Sequence, residues 1–385
     1  MLEDFLNNKP LFYNEIDYTR MPRVWERIKD KFRLPKIIHL IGTNGKGTTG
    51  RFLATALLRA GYSVGHYTSP HILEFNERIW LNGQSAKNAL LEENHQKLLE
   101  LLTQEERDSL SYFEYTTLLA MLLYSQAGVE YVVLEAGLGG EHDATAVFEN
   151  ELTLLTPVDY DHEAFLGTTI EEIATTKLSA VQKATIVAKQ KHKEVYDIAL
   201  KLSKSKDFLV YNVQKCVSSE DLQMLTQIAQ EEKLPHYLYE NMMLAVAALK
   251  YFKISYSAEN FQNARLFGRL SKVRENIFVD VGHNKLAAEA IVKFFADKKV
   301  VLIYNSYKDK AYKEILEILQ PIIKRVEVIE VDDMRIESEE KLRKVLERLE
   351  IPHKKFQFEA MREDEFYLVF GSFSVAEAFL KGLRG

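Results

Sequence analysis

Short runs rich in β-branched residues alternate with longer stretches of helical periodicity along most of this chain. Parallel strands need a long crossover, usually a helix, so this alternation predicts an α/β layer fold. We predict strands at residues 36–42, 62–68, 129–137, 152–159, 184–190, 276–282, 299–306, 325–331 and 366–372. We predict helices at residues 46–60, 113–128, 169–182, 236–252, 257–267, 285–296, 311–323 and 338–349, with a closing helix after residue 372.

A domain boundary is predicted near residues 266–270, where Phe-Gly-Arg-Leu interrupts the helical pattern. The 385 residues suit two or three domains. We therefore divide the chain into an α/β domain over 1–268 and a smaller one over 269–385. Ligand sites are expected at the carboxyl ends of the strands and in a cleft between the domains.

Composition excludes several classes of protein. The 50 Lys and Arg residues nearly balance 56 Asp and Glu residues, which argues against nucleic-acid binding through a strongly basic surface. Cys216 is the single cysteine, so neither an internal disulfide nor a cysteine metal cluster can form, and a reducing compartment is favoured. The N-terminus lacks a signal-peptide pattern and no apolar run approaches about 18 residues. We expect a cytoplasmic monomer that acts on small molecules, without a membrane or nucleic-acid partner.

The sharpest motif follows the first predicted strand and opens the first long helix. Its glycines let backbone N–H groups converge on one anion, and the helix N-terminus adds its dipole. Lys46 supplies a positive charge for the outer phosphates, and Thr48 or Thr49 can place a hydroxyl on Mg²⁺. The residues assigned to the nucleotide here are Thr43, Asn44, Gly45, Lys46, Gly47, Thr48 and Thr49.

This phosphate loop departs from the general P-loop pattern, because Gly47 rather than Ser or Thr follows Lys46, and Leu40 replaces the expected first glycine. A glycine-rich strand–helix turn without a ligand is the alternative. The variant spacing resembles the ATP loop of the Mur ligase superfamily, and more narrowly that of folylpolyglutamate synthase and bacterial dihydrofolate synthase. This resemblance implies a P-loop Mur-ligase-like central domain with a second, smaller Rossmann-like α/β domain.

A second motif follows the strand that ends at Glu135. A carboxylate at that position can hold Mg²⁺, although it could instead cap a surface loop. The segment 135–146 resembles the family's E-x-G-L-G-G-R-x-D-A-T-N, whose Glu ligates the metal, and the resemblance assigns Asp143 to the substrate. Glu141 and Ala146 replace the family's Arg and Asn, which affects the expected substrate contacts more than the metal ligand.

Two further positions gain a role from the resemblance. Residues 161–167 fit the family's D-H-x-x-x-L-G motif, which assigns His162 to a second Mg²⁺ ion; by itself, a histidine among acidic residues is more often a surface hydrogen-bonding group. Lys177 matches the lysine that is carbamylated in the family, whereas the bare sequence suggests only a solvated lysine. A carbamate would present anionic oxygens to Mg²⁺ where an ammonium would repel it. With Lys46, these two residues are the expected catalytic groups, and Thr48, Glu135, His162 and Lys177 the expected metal ligands.

The loop after the second predicted strand resembles the family's T-S-P-H-L…N-E-R-I segment, which borders the folate or pteroate site. An ordinary strand-to-loop turn is the alternative interpretation. Phe113, at the start of a predicted helix, could stack on a pterin or simply pack in the core. The expected substrate-binding residues are Ser69, Pro70, His71, Arg78, Phe113 and Asp143.

The second half adds four expected nucleotide contacts. Asn241 matches the family's N-x-x-x-A-x-A-A segment, and Arg269 matches P-G-R-[FL], with Phe267 in place of Pro. Asp280 and His283 match D-G-A-H-N at a strand end. Each motif alone could be a polar loop between α/β elements, but their order and spacing match the family together.

The resemblance implies an ATP-dependent ligase that adds L-glutamate to a folate or dihydropteroate through an acyl phosphate. ATP and two Mg²⁺ ions are the expected cofactors, with carbamylated Lys177. Two alternatives remain open: a Mur-type cell-wall ligase and a P-loop ATPase switch. The former needs a UDP-sugar-binding domain, for which a phosphate loop at residue 42 leaves little room. The latter would hydrolyse ATP without forming an amide.

Overall fold

The computed structural model describes residues 1–9, 17–296 and 298–384, and divides the chain into two compact units. Unit 1 comprises Met1–Leu234 and Leu238–Ala264, and unit 2 comprises Pro235–Tyr237 and Arg265–Gly385. Each unit contains one parallel-rich sheet, which confirms the predicted α/β class.

The described residues form helices and strands whose bounds are as follows. The strands are β1 Lys36–Ile41, β2 Val64–Tyr67, β3 Ile79–Leu81, β4 Gln84–Ser85, β5 Tyr131–Glu135, β6 Leu152–Leu155, β7 Ala184–Val187, β8 Leu209–Asn212, β9 Ser271–Arg274, β10 Ile277–Val279, β11 Val300–Tyr304, β12 Ile323–Val328, β13 His353–Lys355 and β14 Tyr367–Phe370. The helices of unit 1, with α12 beginning in unit 2, are α1 Leu2–Asn7, α2 Arg20–Ile28, α3 Lys46–Arg59, α4 Asn88–Leu101, α5 Gln104–Ser109, α6 Tyr112–Ala127, α7 Glu163–Leu166, α8 Ile170–Leu178, α9 Glu194–Lys206, α10 Val213–Cys216, α11 Ser219–Glu231 and α12 His236–Tyr251. The later helices are α13 Lys285–Phe294, α14 Tyr312–Leu319, α15 Glu339–Arg348 and α16 Phe373–Arg384.

The sheet of unit 1 has the strand order β4-β3-β2-β5-β1-β6-β7-β8. Within this order, β2, β5, β1, β6, β7 and β8 are parallel to one another, whereas β3 and β4 add an antiparallel edge beside β2. β1 is a central strand, and every residue after its first is buried. A mostly apolar sequence of this kind is typical of a strand in a sheet that is covered on both faces.

The strand order of unit 1 reverses around β1. The chain leaves β1 through α3 to reach β2 on one side, and later continues from β6 to β7 on the other side. Ligands of open α/β sheets bind where the order reverses, at the carboxyl ends of the strands. The loops after β1, β5 and β6 therefore meet at the edge where a ligand site is expected.

Unit 2 has the strand order β13-β12-β11-β14-β10-β9. Its strands are parallel except β9, which pairs antiparallel with β10. β14 lies between β10 and β11, so the last strand of the chain is central in this sheet, with buried apolar residues throughout.

Helix α6 is buried over most of its surface, and its first turn holds the aromatic residues Tyr112 and Phe113. Ser111 and Glu114 form a reciprocal capping box at its N-terminus, and Gly128 ends it with φ of 62°. These caps satisfy backbone groups that the helix leaves unpaired, and they fix the position of Phe113 in its first turn.

The helix predicted over 257–267 is wrong. The structure has a single 3₁₀ turn at Ala258–Asn260, followed by turns in which Asn263 has φ of 52°. The Asn260 side chain donates to the carbonyl of Ala56 at 3.2 Å and accepts from the N–H of Ser257 at 2.8 Å. These bonds compete with helix propagation, and the left-handed backbone at Asn263 prevents the helix from continuing.

No helix in the described part of the chain is long and apolar enough to cross a bilayer.

Acid should destabilise unit 1 through two fully buried histidines, His39 on β1 and His66 on β2. Burial lowers the pKa of His39 to about 4 and that of His66 well below its ordinary value of 6.5. As the pH falls below 6.5, the unfolded chain binds protons that the folded chain excludes, so stability decreases. For His39 alone, the free energy of unfolding should fall by about 2 kcal/mol between pH 8 and pH 5.

Between those two pH values, the free energy of unfolding of the variant His39→Gln should fall by about 2 kcal/mol less than that of the wild type. Urea unfolding followed by tryptophan fluorescence measures this, because both tryptophans, Trp25 and Trp80, lie in unit 1. An unchanged pH dependence in the variant would show that His39 titrates normally in the folded protein.

Candidate active site

The phosphate loop between β1 and α3 takes a backbone path that requires glycine. Gly42 has φ of 139° and Gly45 has φ of 89°. A Cβ atom at Gly42 would clash with Thr156, and one at Gly45 would lie 2.7 Å from Oδ1 of Asn241. Both glycines are therefore fixed by conformation and by close neighbours.

The loop is tied to the segment that follows β6. The N–H groups of Thr43 and Asn44 donate to the carbonyl of Pro157 at 2.9 and 3.3 Å. The Thr43 hydroxyl donates to the carbonyl of Asp159 at 3.0 Å and accepts from its N–H at 3.1 Å. Asn44 and Thr43 thus hold the loop's shape through contacts inside the protein.

Two lysines converge on one carbonyl oxygen of the loop. Lys46 Nζ donates to the carbonyl of Gly42 at 3.1 Å, and Lys177 Nζ, from the last turn of α8, donates to the same oxygen at 3.1 Å. Lys177 is 4% exposed. Burial, and secondarily the charge of Lys46, lowers the pKa of Lys177 to about 7. No local sequence pattern places Lys177 here, because its partner lies 135 positions away.

The first turn of α3 presents polar atoms that are buried without partners. The hydroxyls of Thr48 and Thr49 have no hydrogen-bond partner among the described residues, although these residues are 1% and 0% exposed. Gly47 precedes them and is also buried. An unpaired buried hydroxyl is costly, so the Thr48 hydroxyl fits a ligand such as a hydrated divalent cation.

Glu135 ends β5 directly beside β1, in register with Leu40. It is 5% exposed, and its carboxylate accepts from the Thr68 hydroxyl and from the N–H of Ser69 at 3.2 Å. Carboxylate and hydroxyl oxygens are the ligands that Mg²⁺ prefers, so Glu135 and Thr48 suit this ion. Thr68, whose hydroxyl orients the carboxylate, was not assigned to the site from the sequence.

No group of three or more His, Cys, Asp and Glu side chains converges in a metal-binding cluster among the residues that the structure describes. His162 precedes α7 with φ of 53°, and its side chain is 41% exposed. It lies 3.8 Å from Asp161.

The loop after Glu135 is held from within by Asp143. One carboxylate oxygen accepts from the N–H groups of Gly137 and Leu138 at 3.0 and 2.8 Å, and the other accepts from the N–H of Thr145 at 3.0 Å. Gly140 packs against Lys177, since a Cβ there would lie 2.8 Å from the Lys177 Cα. The loop therefore links the ends of β5 and α8.

The two residues of this loop that depart from the family pattern lie at the surface and at the edge of an apolar cluster. Glu141 is exposed and pairs with Lys206 at 3.3 Å. Ala146 packs at the edge of the apolar cluster around α8 and α9.

Several residues assigned to the substrate lie together after β2. His71 Nδ1 accepts from Arg78 Nε at 2.8 Å, and the Arg78 guanidinium lies 5.1 Å from the centre of the Tyr112 ring. Phe113 packs against Gly137, where a Cβ would lie 2.6 Å from the ring. The bond between Ser69 and Pro70 is cis.

An acidic and basic cluster beside the phosphate loop was not identified from the sequence. Asp159 is 7% exposed, and its carboxylate lies 3.1 Å from His192 Nε2 and 3.4 Å from Lys191 Nζ. The loop after β7 thereby contacts the loop after β6. Only the polar run at residues 189–193 could have signalled it.

Asn241 lies on α12 in unit 1, and its amide packs against Gly45 of the phosphate loop. It is 5% exposed, and its Nδ2 has no partner among the described residues. This unpaired donor suits a nucleotide contact.

The other expected nucleotide residues belong to unit 2. Asp280 accepts from the N–H groups of Leu270 at 2.9 Å and Gly282 at 2.7 Å, and burial raises its pKa. Arg269 lies with its guanidinium 5.5 Å from the Phe373 ring centre, and His283 Nδ1 lies 3.2 Å from the carbonyl of Val281. These groups cluster at the carboxyl ends of β10 and β14.

Comparison with known proteins identifies relatives over nearly the whole chain. A dihydrofolate synthase/folylpolyglutamate synthase of Haemophilus influenzae is 30% identical over 366 residues, covering 85% of this chain and 82% of the relative. The crystal structure of Helicobacter pylori folylpolyglutamate synthetase is 37% identical, with a TM-score of 0.80, and covers 100% of this chain and 98% of that one.

A bifunctional folylpolyglutamate synthase/dihydrofolate synthase solved with Mn, AMPPNP and L-glutamate bound is 25% identical, with a TM-score of 0.82, and covers 100% of this chain and 97% of that one. No family model matches the chain. On the identity and coverage of these relatives, the chain belongs to the folylpolyglutamate synthase/dihydrofolate synthase family of ATP-dependent ligases, with the two-domain Mur-ligase-like fold.

Proposed function

We propose that this protein uses ATP to join L-glutamate to a carboxyl group of a folate or dihydropteroate through an acyl phosphate. The observation that carries the proposal is the convergence of Lys46 and Lys177 on the Gly42 carbonyl, beside the unpaired Thr48 hydroxyl. The ammonium group of Lys46 and buried polar groups without partners suit a polyanion, and a relative has been solved with Mn, AMPPNP and L-glutamate bound. We also infer that it acts as a cytoplasmic monomer on small molecules.

Activation of the carboxylate comes first in this mechanism. A carboxylate acylates an amine poorly because oxide would have to leave. Transfer of the γ-phosphoryl group of ATP to a carboxylate oxygen forms an acyl phosphate and ADP. The amine of L-glutamate then attacks the acyl carbon, and an amide forms while phosphate leaves.

The phosphate loop supplies positioning and charge for the first step. The first N–H groups of α3 have no acceptor within the helix, so they can donate to the nucleotide phosphates. Lys46 Nζ neutralises negative charge as the phosphoryl group moves. Bound Mg²⁺ would supply further charge neutralisation, held by Thr48 and Glu135, with a second ion assigned to His162 and Lys177.

Carbamylation of Lys177 is part of the proposal. The neutral amine nitrogen attacks CO₂, an N–C bond forms, and the amine loses a proton to solvent, which leaves an anionic carbamate. The amine of Lys177 is buried, and a pKa near 7 leaves a large neutral fraction at physiological pH. The carbamate would remove the repulsion between Lys177 and both Lys46 and a metal ion.

The remaining assignments follow the family pattern and stay predictions. Asn241 of unit 1, and Arg269, Asp280 and His283 of unit 2, are assigned to the nucleotide. The pterin-bearing substrate is assigned to the loop with Ser69, Pro70, His71 and Arg78, and to Phe113 and Asp143. Of these, Asp143 acts by shaping the loop through hydrogen bonds within the protein. The division into domains 1–268 and 269–385, with the second closing over ATP, is likewise a prediction.

Incubation with ATP, Mg²⁺, radiolabelled L-glutamate and either dihydropteroate or tetrahydrofolate should yield labelled amide products, separated by chromatography. Product with dihydropteroate indicates the dihydrofolate synthase activity, and extension of tetrahydrofolate indicates the folylpolyglutamate synthase activity. ATP hydrolysis without label transfer would identify a P-loop ATPase switch instead. In a parallel incubation with a UDP-sugar acceptor, label transfer there and to neither pterin-bearing acceptor would identify a cell-wall ligase.

Replacement of Lys46 by alanine should reduce ligation by at least about 100-fold, because charge stabilisation of phosphoryl transfer is lost. Steady-state kinetics measures the loss, and circular dichroism checks that the fold persists. Lys97→Ala is the matched control, since Lys97 is partly exposed on α4 and pairs with Glu93 on the same helix. Turnover of Lys46→Ala similar to that of the control would remove Lys46 from the mechanism.

Exposure of the Mg²⁺-loaded protein to ¹³C-bicarbonate should produce a carbamate signal in ¹³C NMR that disappears in Lys177→Arg. Lys183→Arg is the control, because Lys183 is exposed and pairs with Glu149 and Glu151, which raise its pKa and keep it charged. The signal should persist in this control. An unmodified Lys177 in a fully liganded Mg²⁺ complex would refute the carbamylation.

A further inference from the structure

His39 is a polar side chain in the middle of an apolar central strand. Its neighbours Ile38 and Leu40 are fully buried, and His39 itself is 0% exposed. A buried imidazole is costly unless it forms a hydrogen bond. Its nearest polar partner is Thr145, more than a hundred positions later in the chain.

A continuous chain of hydrogen bonds connects His39 to the loop after β5. His39 Nε2 lies 2.8 Å from the Thr145 hydroxyl, and this hydroxyl donates to Asp143 Oδ1 at 2.5 Å. The other oxygen of Asp143 accepts from the N–H groups of Gly137 and Leu138.

With Asp143 ionised, counting hydrogens fixes the direction of each bond. The three backbone N–H groups require Asp143 to act as an acceptor at both oxygens. Thr145 therefore gives its single hydroxyl hydrogen to Asp143 and must accept one from His39. His39 consequently carries its hydrogen on Nε2, and its Nδ1 has no partner among the described residues.

The chain of bonds ends at the wall of the expected substrate site. Gly137, held by Asp143, packs against the Phe113 ring, and it lies two residues after the expected metal ligand Glu135. A shift of this loop would change the space beside Phe113, whereas the Glu135 carboxylate is held separately by Thr68 and Ser69.

We propose that His39 and Thr145 are positioning residues of the ligase: the Nε2–H of His39 orients the Thr145 hydroxyl, which holds Asp143 and thereby the Gly137 wall of the site for the pterin-bearing substrate. The substrate named here rests on the proposed function. Neither residue touches the reacting atoms, and neither hydrogen-bonds to the phosphate loop in the structure. The effect of losing them should therefore fall on the acid substrate more than on ATP.

The first test compares matched variants of Thr145. Thr145→Val removes the hydroxyl at nearly constant volume, whereas Thr145→Ser keeps it. The KM for dihydropteroate or tetrahydrofolate should rise about tenfold or more in Thr145→Val, as expected for loss of a hydrogen bond to a carboxylate. The KM for ATP should change less than about twofold. Thr145→Ser should restore most of the affinity. Equal changes in both KM values, or a serine variant as impaired as the valine variant, would overturn the proposal.

The second test compares His39→Gln with His39→Leu. The glutamine amide nitrogen can take the position of Nε2 and donate to Thr145, whereas leucine cannot. The glutamine variant should keep a KM for the acid substrate close to that of the wild type, and the leucine variant should resemble Thr145→Val. If the leucine variant fails to fold, the glutamine and valine variants still decide the outcome. A glutamine variant as impaired as Thr145→Val would refute the role of the donor.

A third measurement does not depend on activity. With ¹⁵N-labelled histidine, NMR should show His39 as the Nε2–H tautomer, assigned by the signal lost in His39→Gln. Thr145→Val should shift that resonance, and Thr145→Ser should shift it much less. An Nδ1–H tautomer would overturn the proposal. Absence of glutamate transfer by the wild type would instead refute the proposed function, while the NMR result would still stand for the hydrogen bonds.

Discussion

The turn of the backbone at Gly42, where β1 ends, is the constraint on which the site depends. Its carbonyl accepts from both Lys46 and Lys177, which reach it from helices far apart in the chain. Two ammonium groups at one buried oxygen repel each other, and burial and this repulsion together lower the pKa of Lys177. An anionic ligand or a carbamate would relieve that repulsion, so the protein is built for a partner that supplies negative charge.

The polar groups around this turn fall into two sets with different uses. Asp143 and the hydroxyl of Thr43 use their hydrogen-bonding capacity within the protein, where they fix the shape of loops. Thr48 and Asn241 are buried with atoms that have no partner among the described residues. Since burial without a partner is costly, the second set marks where a ligand completes the structure. The first set controls where that ligand lies.

Much of the fold could be predicted from local pattern. Helix α3 begins at Lys46 as expected, and β1, β6, β11 and β14 lie within their predicted runs, because periodic apolar residues, glycines and caps act over a few residues. The helix over 257–267 failed because the Asn260 side chain bonds to Ala56, some 204 positions away. Long-range bonds of this kind leave no mark on the local sequence.

The sequence alone determined the α/β class, the glycine-dependent phosphate loop and the residue types that phosphate chemistry needs, because each depends on neighbours in the chain. The tertiary structure decided which of these residues meet: that Lys177 reaches Gly42, that Thr68 orients Glu135, and that His39 supports Asp143 through Thr145. Strand order sets those distances, and strand order follows from the packing of the whole sheet rather than from any one segment.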